Sequence, residues 1–421
     1  MSTHQKSGTD CSAKQDLIPL ETALSRVVSS IQAIERQTTV DLAQAVNRIL
    51  ALDLRSSVDV PPQDNSAVDG YAINTQEVKQ GDWINVSQRI PAGTAPKRLA
   101  PGTAARIFTG ATVPEGADCV VMQEDTDTTP DKVSILSAFK PSQNIRARGQ
   151  DLKQGATILQ RGQILSPQAI GLAASSGVRM LPVFAPLKVA YFSTGDELVE
   201  PGTPLQPGQI YNSNRYLLSA MLSNFGCEAI DLGCIPDSLD ATCAALETAH
   251  QKADVILTTG GASVGEEDHV KSALQRLGEL NLWRIALKPG KPFMFGQIQG
   301  TPILGLPGNP GAVLVTFCLL ARPALLKRMG CDTLYPAAEL TELAFSPGHN
   351  GKRREFKRVQ KQADGRLIAH PNQSSGMLSS ACWADGLAVI PEHSELKAGD
   401  RVEFYSFANL MFPPYQGAPE V

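Results

Sequence analysis

The chain predicts a multidomain α/β plus β protein: a central α/β domain with a mostly parallel sheet and helices on both faces, a β-rich second domain, a small N-terminal helical or mixed unit, and a small β-barrel-like C-terminal domain. Three observations predict this. From Lys188 onward, apolar strand runs alternate with helix-spaced segments. From Val58 to about Arg146, short β-prone pieces are punctuated by Pro61-Pro62, Pro91-Ala92-Gly93, Pro101-Gly102 and Pro114-Glu115-Gly116. Beyond Leu334 the pattern returns to β, with turns at Pro347-Gly348 and Ala363-Asp364-Gly365.

Taken in order, 1–16 is a polar tail without the apolar region of a signal peptide. Leu20 to Ile31 and Leu42 to Ile49 carry helix-spaced apolar residues, and Ser166-Pro167 opens a further helix over Ala169 to Ser176 that Gly177 can cap. A discontinuous N-terminal unit, 17–57 with 150–186, therefore flanks a β-rich domain, 58–149. The α/β domain, 187–335, begins with the strand Lys188 to Ser193. There follow a helix Asn214 to Phe225, a strand Glu228 to Gly233, a helix Leu239 to Gln251, a strand from Val255 and a helix Asp268 to Leu277. Further strands are expected at Leu282 to Leu287, Phe293 to Ile298 and Pro302 to Leu306. A long helix then runs from Asn309-Pro310 to Met329, kinked or divided at Pro323. The C-terminal β-domain, 336–421, closes with a strand from Arg401 to Phe404.

With 42% apolar residues, 421 residues can form two to four cores. A net charge of -4 with dispersed Lys and Arg gives no broad basic surface for nucleic acid or anionic lipid. The longest apolar stretch, Ala312 to Leu320, is far short of the roughly 20 residues of a membrane span, so a cytoplasmic protein is expected. The eight cysteines, among them Cys11, form no Cys-x-x-Cys pair and no metal spacing with His, and free thiols are expected.

Loops following apolar strands carry the chemistry of such a fold. Thr258-Thr259-Gly260-Gly261-Ala262-Ser263-Val264-Gly265 resembles a phosphate cradle, with glycines for close backbone approach and hydroxyls for an anion. Glu266 and Glu267 stand where a P-loop needs Lys and Ser or Thr, which excludes a P-loop NTPase. With Asp268 beside them, these acids fit a phosphate only across a divalent cation. Ser193-Thr194-Gly195-Asp196-Glu197-Leu198 and Pro236-Asp237-Ser238 end the preceding strands, and Lys288-Pro289-Gly290-Lys291-Pro292 offers two ammonium groups on a rigid turn, for an oxyanion or merely for solubility. Gly305-Leu306-Pro307-Gly308-Asn309-Pro310 reads as a helix start with Asn309 as N-cap, or as an oxyanion site built from its free N–H groups. Two more acidic loops, Asp64-Asn65-Ser66-Ala67-Val68-Asp69-Gly70-Tyr71 and Arg146-Ala147-Arg148-Gly149-Gln150-Asp151, are surface turns or part of a cleft between domains or subunits.

Together with Phe108-Thr109-Gly110-Ala111 and Val121-Met122-Gln123-Glu124, these motifs in this order resemble the bacterial molybdopterin molybdenumtransferases, the MoeA family, which is similar to the E domain of gephyrin. The resemblance covers nearly the whole chain. It departs at Ala262, where Val is common, and at His269, where Tyr is frequent. It implies insertion of molybdate into adenylyl-molybdopterin with release of AMP, assisted by Mg²⁺ or a similar divalent cation. It also implies a homodimer of four-domain subunits, in which the β-rich domain of one closes the pterin cleft of the other, and working contact with the adenylyltransferase and with downstream cofactor-handling proteins. Carried over by motif, Asp69, Asp151, Glu197, Asp237 and Asp268 are the catalytic acids, with Glu197, Asp237 and Asp268 at the metal. Ser66, Thr109, Thr194, Gly195, Gly260, Gly261, Ser263, Gly265, Lys288, Lys291, Pro307, Gly308, Asn309 and Pro310 bind substrate. Two neighbouring readings are a molybdopterin adenylyltransferase acting one step earlier and a gephyrin-like scaffold.

Overall fold

Strand residues that alternate between two apolar environments define the central layer. The computed structural model describes residues 17–261 and 269–414, apart from the side chain of Trp283. A six-stranded sheet runs in the order Glu228–Ile235, Lys188–Thr194, Val255–Thr259, Thr301–Leu306, Met294–Ile298, Glu279–Trp283. Its first four strands are parallel, and Met294–Ile298 is antiparallel to both of its neighbours. Val189, Tyr191, Val255 and Leu257 pack with the helices Ser213–Asn224 and Pro310–Thr316. Ala190, Phe192 and Ile256 pack against Leu239–Lys252 and His269–Leu277. The period of two thus buries both faces of the sheet, and its polar loops gather at the carboxyl ends of the parallel strands.

The expected strand Leu282 to Leu287 is not one strand. Arg284 takes a left-handed φ of 64° and ends Glu279–Trp283, after which Ile285 bridges to Ile18 and Leu287–Lys288 pairs with Arg354–Glu355 of the C-terminal sheet. That apolar run is shared among three units, so its periodicity had no single meaning. The division expected at Pro323 takes the form of a π-helical stretch, Phe317–Ala321, between Pro310–Thr316 and Arg322–Arg328. The wider π turn accommodates a ring that lacks an N–H and would crowd the carbonyl four residues earlier. This 19-residue helix is long and apolar enough to cross a membrane, but 83% of its apolar window is buried inside the fold.

In the N-terminal unit, Leu20–Ser29 buries Leu20, Ala23 and Val27, and Pro167–Ser175 is capped by the Ser166 hydroxyl accepting from Ala169 N. The expected helix Leu42 to Ile49 is absent. Asp41 caps only the short turn Leu42–Gln44, Asn47 reverses the chain at φ 63°, and Leu50 N donates to Gln163 O in β fashion. Ala45 and Leu42 pack with Leu165, Leu181 and Val183, Ile49 joins the central core, and Val46 is left exposed, so tertiary pairing overrode the helical spacing. Gln37–Asp41 pairs with Met180–Phe184, and Leu54–Arg55 with Thr157–Leu159.

Between these pairings lies a six-stranded sheet, ordered Cys119–Met122, Gly70–Ile73, Ala104–Ile107, Trp83–Ile90, Lys132–Ile135, Thr126–Thr128. At the C-terminus, Glu339–Glu342, Arg401–Ser406, Gly386–Ile390 and Arg354–Lys361 pair in succession. Leu367–Ala369 adds to Arg354–Lys361, and a Leu343–Leu367 bridge joins the two ends of this path. The seven cysteines among the described residues are free.

Candidate active site

Strand ends, a helix start and the C-terminal sheet converge on one cavity of about 700 Å³. Thr194, Glu197, Gly260, Lys288, Lys291, Pro307, Gly308 and Asn309 all line it. Its floor is held by Asn214, whose Nδ2 donates to Thr259 Oγ1 at 2.9 Å and to Gly308 O at 2.7 Å, and by Thr259 Oγ1, which donates to Pro307 O at 2.9 Å. Asn214 Oδ1 is buried without a protein partner among the described residues.

Glycine is required where the loops touch. Gly260 has φ +86°, and a Cβ there would stand 2.6 Å from Thr194 O. At Gly261, φ +62°, a Cβ would meet Val270 Cγ2 at 2.5 Å, and at Gly195, φ +143°, it would meet the Glu197 carboxylate. Gly195, Gly261 and Pro310 thus shape the walls without lining the cavity. Asn309 occupies the N-cap position with no side-chain cap bond, contrary to the N-cap role read from sequence; its Nδ2 reaches Ser375 Oγ at 2.9 Å instead. The competing partner comes from the loop between Leu367–Ala369 and Ser379–Trp383, which local sequence cannot reveal.

The cationic edge is uneven. Lys288 Nζ lies 3.1 Å from Glu355 Oε1, and Lys357 binds the same oxygen at 3.3 Å, so Lys288 is partly neutralised. Lys291 and Arg353 line the cavity with no side-chain partner among the described residues. Among the described residues, Glu197 is the carboxylate on the lining; Asp237, like Asp196, does not line the cavity, and Asp196 N donates to Asp237 Oδ2 at 3.3 Å and Asp237 N to Asp196 Oδ1 at 3.1 Å, which ties the two strand-end loops together behind it. Burial pushes up the pKa of the neighbouring Cys234 thiol, and the negative charges of Asp237, Glu197, Glu200 and Asp196 push it further. No group of three or more metal-ligating side chains is assembled among the described residues. Ser263, Gly265 and Asp268 lie outside the described residues.

The remaining predicted residues are elsewhere. Ser66, Asp69, Thr109 and Asp151 do not line the cavity. Asp69 Oδ1 accepts from both Thr109 N and Thr109 Oγ1 at 2.7 Å, and these bonds hold its carboxyl below the usual range. Ser66 is buried and donates to Val68 O. The backbone N–H of the exposed Asp151 donates to Val60 O.

Three family models match the chain in succession: the MoeA N-terminal region (domain I and II) over residues 18–177, the probable molybdopterin binding domain over 190–327, and the MoeA C-terminal region (domain IV) over 342–407. A molybdopterin molybdenumtransferase of Haemophilus influenzae is 36% identical over 403 residues, 94% of this chain and 100% of the relative. The chain belongs to the MoeA family. Molybdopterin molybdenumtransferase 2 of Mycobacterium tuberculosis is 38% identical, over 90% of this chain and 97% of its own length. The crystal structure of a Pyrococcus horikoshii molybdopterin biosynthesis MoeA protein superposes with a TM-score of 0.82 at 30% identity, covering 92% of this chain and 99% of that one. Membership makes the chain a transferase of molybdenum cofactor biosynthesis. Within this MoeA-like multidomain fold, sequence reasoning missed Asn214, Arg353, Gln373, Ser374 and Ser375 on the cavity wall. The basic run Lys352-Arg353-Arg354 and the polar stretch Asn372 to Ser375 were the available signals, but nothing in their spacing ties them to the α/β loops.

Proposed function

We propose that the chain inserts molybdate into adenylyl-molybdopterin and releases AMP, with Mg²⁺ assisting, and that it works in the cytoplasm as a homodimer. The observation that carries this reading is the cavity that brings together Lys291 and Arg353, cations without a side-chain partner among the described residues, with Glu197 and the glycines Gly260 and Gly308. A tetrahedral dianion needs fixed cations, N–H groups and hydroxyls, and Lys291, Arg353, Ser374 and Ser375 supply them. Thr194, Gly260 and the Pro307–Gly308–Asn309 turn suit the pterin phosphate and nucleotide.

Glu197 and Asp237 would hold Mg²⁺, with Asp268 joining them on its motif alone. Bound there, Mg²⁺ would neutralise charge on the phosphoanhydride. Two or three hard carboxylates are enough, because this ion keeps waters and takes substrate oxygens as its other ligands. Asp69 and Thr109, pre-ordered by their mutual hydrogen bonds, would reach the cleft from the partner subunit, with Ser66 supporting their loop and Asp151 on the adjoining one. The adenylyltransferase and downstream cofactor-handling proteins would be the working partners.

Incubation of the purified protein with adenylyl-molybdopterin, molybdate and Mg²⁺ tests the reading. AMP release that depends on molybdate is expected. Binding without turnover would point to a scaffold, and incorporation of AMP from ATP would point to the adenylyltransferase.

A further inference from the structure

Behind the cavity wall stands a buried cation without a hydrogen-bonded anion. Arg358 lies on Arg354–Lys361 and is fully buried. Its Nη2 donates to Ser374 O at 3.1 Å, while Nε and Nη1 have no protein partner among the described residues. Burial pushes its pKa down, and Glu355 opposes this only at a distance, since that carboxylate is bonded to Lys288 and Lys357. A buried charge in this state opposes folding unless it completes something else.

Its neighbours indicate what it completes. Arg358 N donates to Gln373 Oε1, and Gln373 Nε2 donates back to Arg358 O, both at 2.9 Å. On the opposite side, Gly311 N donates to Ser375 O at 2.8 Å, and Asn309 Nδ2 reaches Ser375 Oγ. A Cβ at Gly311 would stand 2.8 Å from Ser375 O and 3.5 Å from Arg358 Nη1, so the helix start and the guanidinium close on the loop with no room for a side chain. Gln373, Ser374 and Ser375 are thereby clamped between two domains at the point where they line the cavity.

We propose that Arg358 is a positioning residue for oxyanion binding: it fixes the Gln373–Ser375 loop at the cavity rim and adds, from behind, positive charge that an incoming dianion neutralises. This rests on the reading of the cavity as the molybdate site. Lys291 and Arg353 contact the anion in that reading, and Arg358 acts through Ser374.

The test measures molybdate binding by calorimetry together with the KM for molybdate and kcat, in wild type, Arg358→Gln and Gly311→Ala. Arg358→Gln is expected to weaken molybdate binding and raise its KM by up to about tenfold, since the charge-assisted hydrogen bond lost is the one that holds Ser374 O in place, with kcat within about twofold. Gly311→Ala keeps the charge but displaces Ser375, and is expected to raise the molybdate KM in the same direction by a smaller factor. Folded variants that both bind molybdate like wild type would overturn the proposal. If Arg358→Gln does not fold, wild-type affinity in Gly311→Ala alone overturns it. A wild-type protein that binds no molybdate removes the underlying function as well, whereas normal wild-type binding with unaffected variants removes only the role of Arg358.

Discussion

Gly260→Ala tests how closely the first and third strand-end loops meet. Two costs follow from the structure. An L-residue at φ +86° gives up roughly 1–2 kcal/mol. The new Cβ would stand 2.6 Å from Thr194 O and 2.9 Å from Thr194 Oγ1, so it must move by at least a few tenths of an ångström to reach an ordinary contact. Overpacking of this kind costs about 1–3 kcal/mol. Together they come to about 2–5 kcal/mol, which at about 2–4 °C per kcal/mol for a unit of this size lowers the melting temperature by at least 4 °C. The same shift moves Thr194 on the cavity wall, and a displacement approaching 1 Å in a positioning loop can cost about a hundredfold in rate. Calorimetric melting is the stability assay, and molybdate-dependent AMP release is the functional one. A variant with wild-type melting and wild-type turnover would refute the close approach and, with it, the requirement for glycine.

Other perturbations separate other parts of the structure. Asp254→Asn breaks the bidentate pair with Arg36, at 2.8 and 2.6 Å, that ties the N-terminal unit to the α/β sheet. Burial pushes the Asp254 pKa up, but hydrogen bonds from Arg36 and Lys188 N outweigh it and hold the carboxyl below its ordinary value. Its stabilisation is therefore present above the unfolded carboxylate pKa and lost as pH falls through the folded one. With Arg36 half exposed, the loss in urea melts at pH 7 is expected to be about 1–2 kcal/mol and to shrink toward zero at acid pH; a pH-independent loss contradicts the linkage. Lys291→Gln should raise the molybdate KM about tenfold and Lys288→Gln distinctly less, because Glu355 already engages Lys288; steady-state kinetics showing the reverse order would exclude this charge assignment. Thr109→Val removes one of the two donors to Asp69, so the Asp69 carboxyl should titrate closer to its ordinary value in carboxyl NMR, and an unmoved titration would contradict the hydrogen-bond origin of its depression.

The α/β core was legible because its strands bury both faces and its helices carry their own start and stop signals. Ser166-Pro167 and Gly177 bracket a helix in sequence as they do in space. What escaped was non-local. The spacing of Leu42 to Ile49 is helical, but its backbone finds partners more than a hundred residues away. The strand-end loops of the cavity could be named from their glycines, prolines and lysines, whereas Arg353 and Ser374 reach it only because Leu287–Lys288 pairs with Arg354–Glu355 and docks the C-terminal sheet there. Lys288 was legible as a cation but not as a partly neutralised one, since Glu355 lies far along the chain.

The pairing of Gln37–Asp41 with Met180–Phe184 has a consequence for synthesis. Translation at about 5–20 residues per second leaves the first strand waiting on the order of ten seconds for its complement. During that interval its hydrogen-bonding edge is open, while the intervening sheet, whose strands span Gly70 to Ile135, can already close on itself. Until residue 184 emerges this strand has no partner, so slow synthesis prolongs the time its edge stands unpaired.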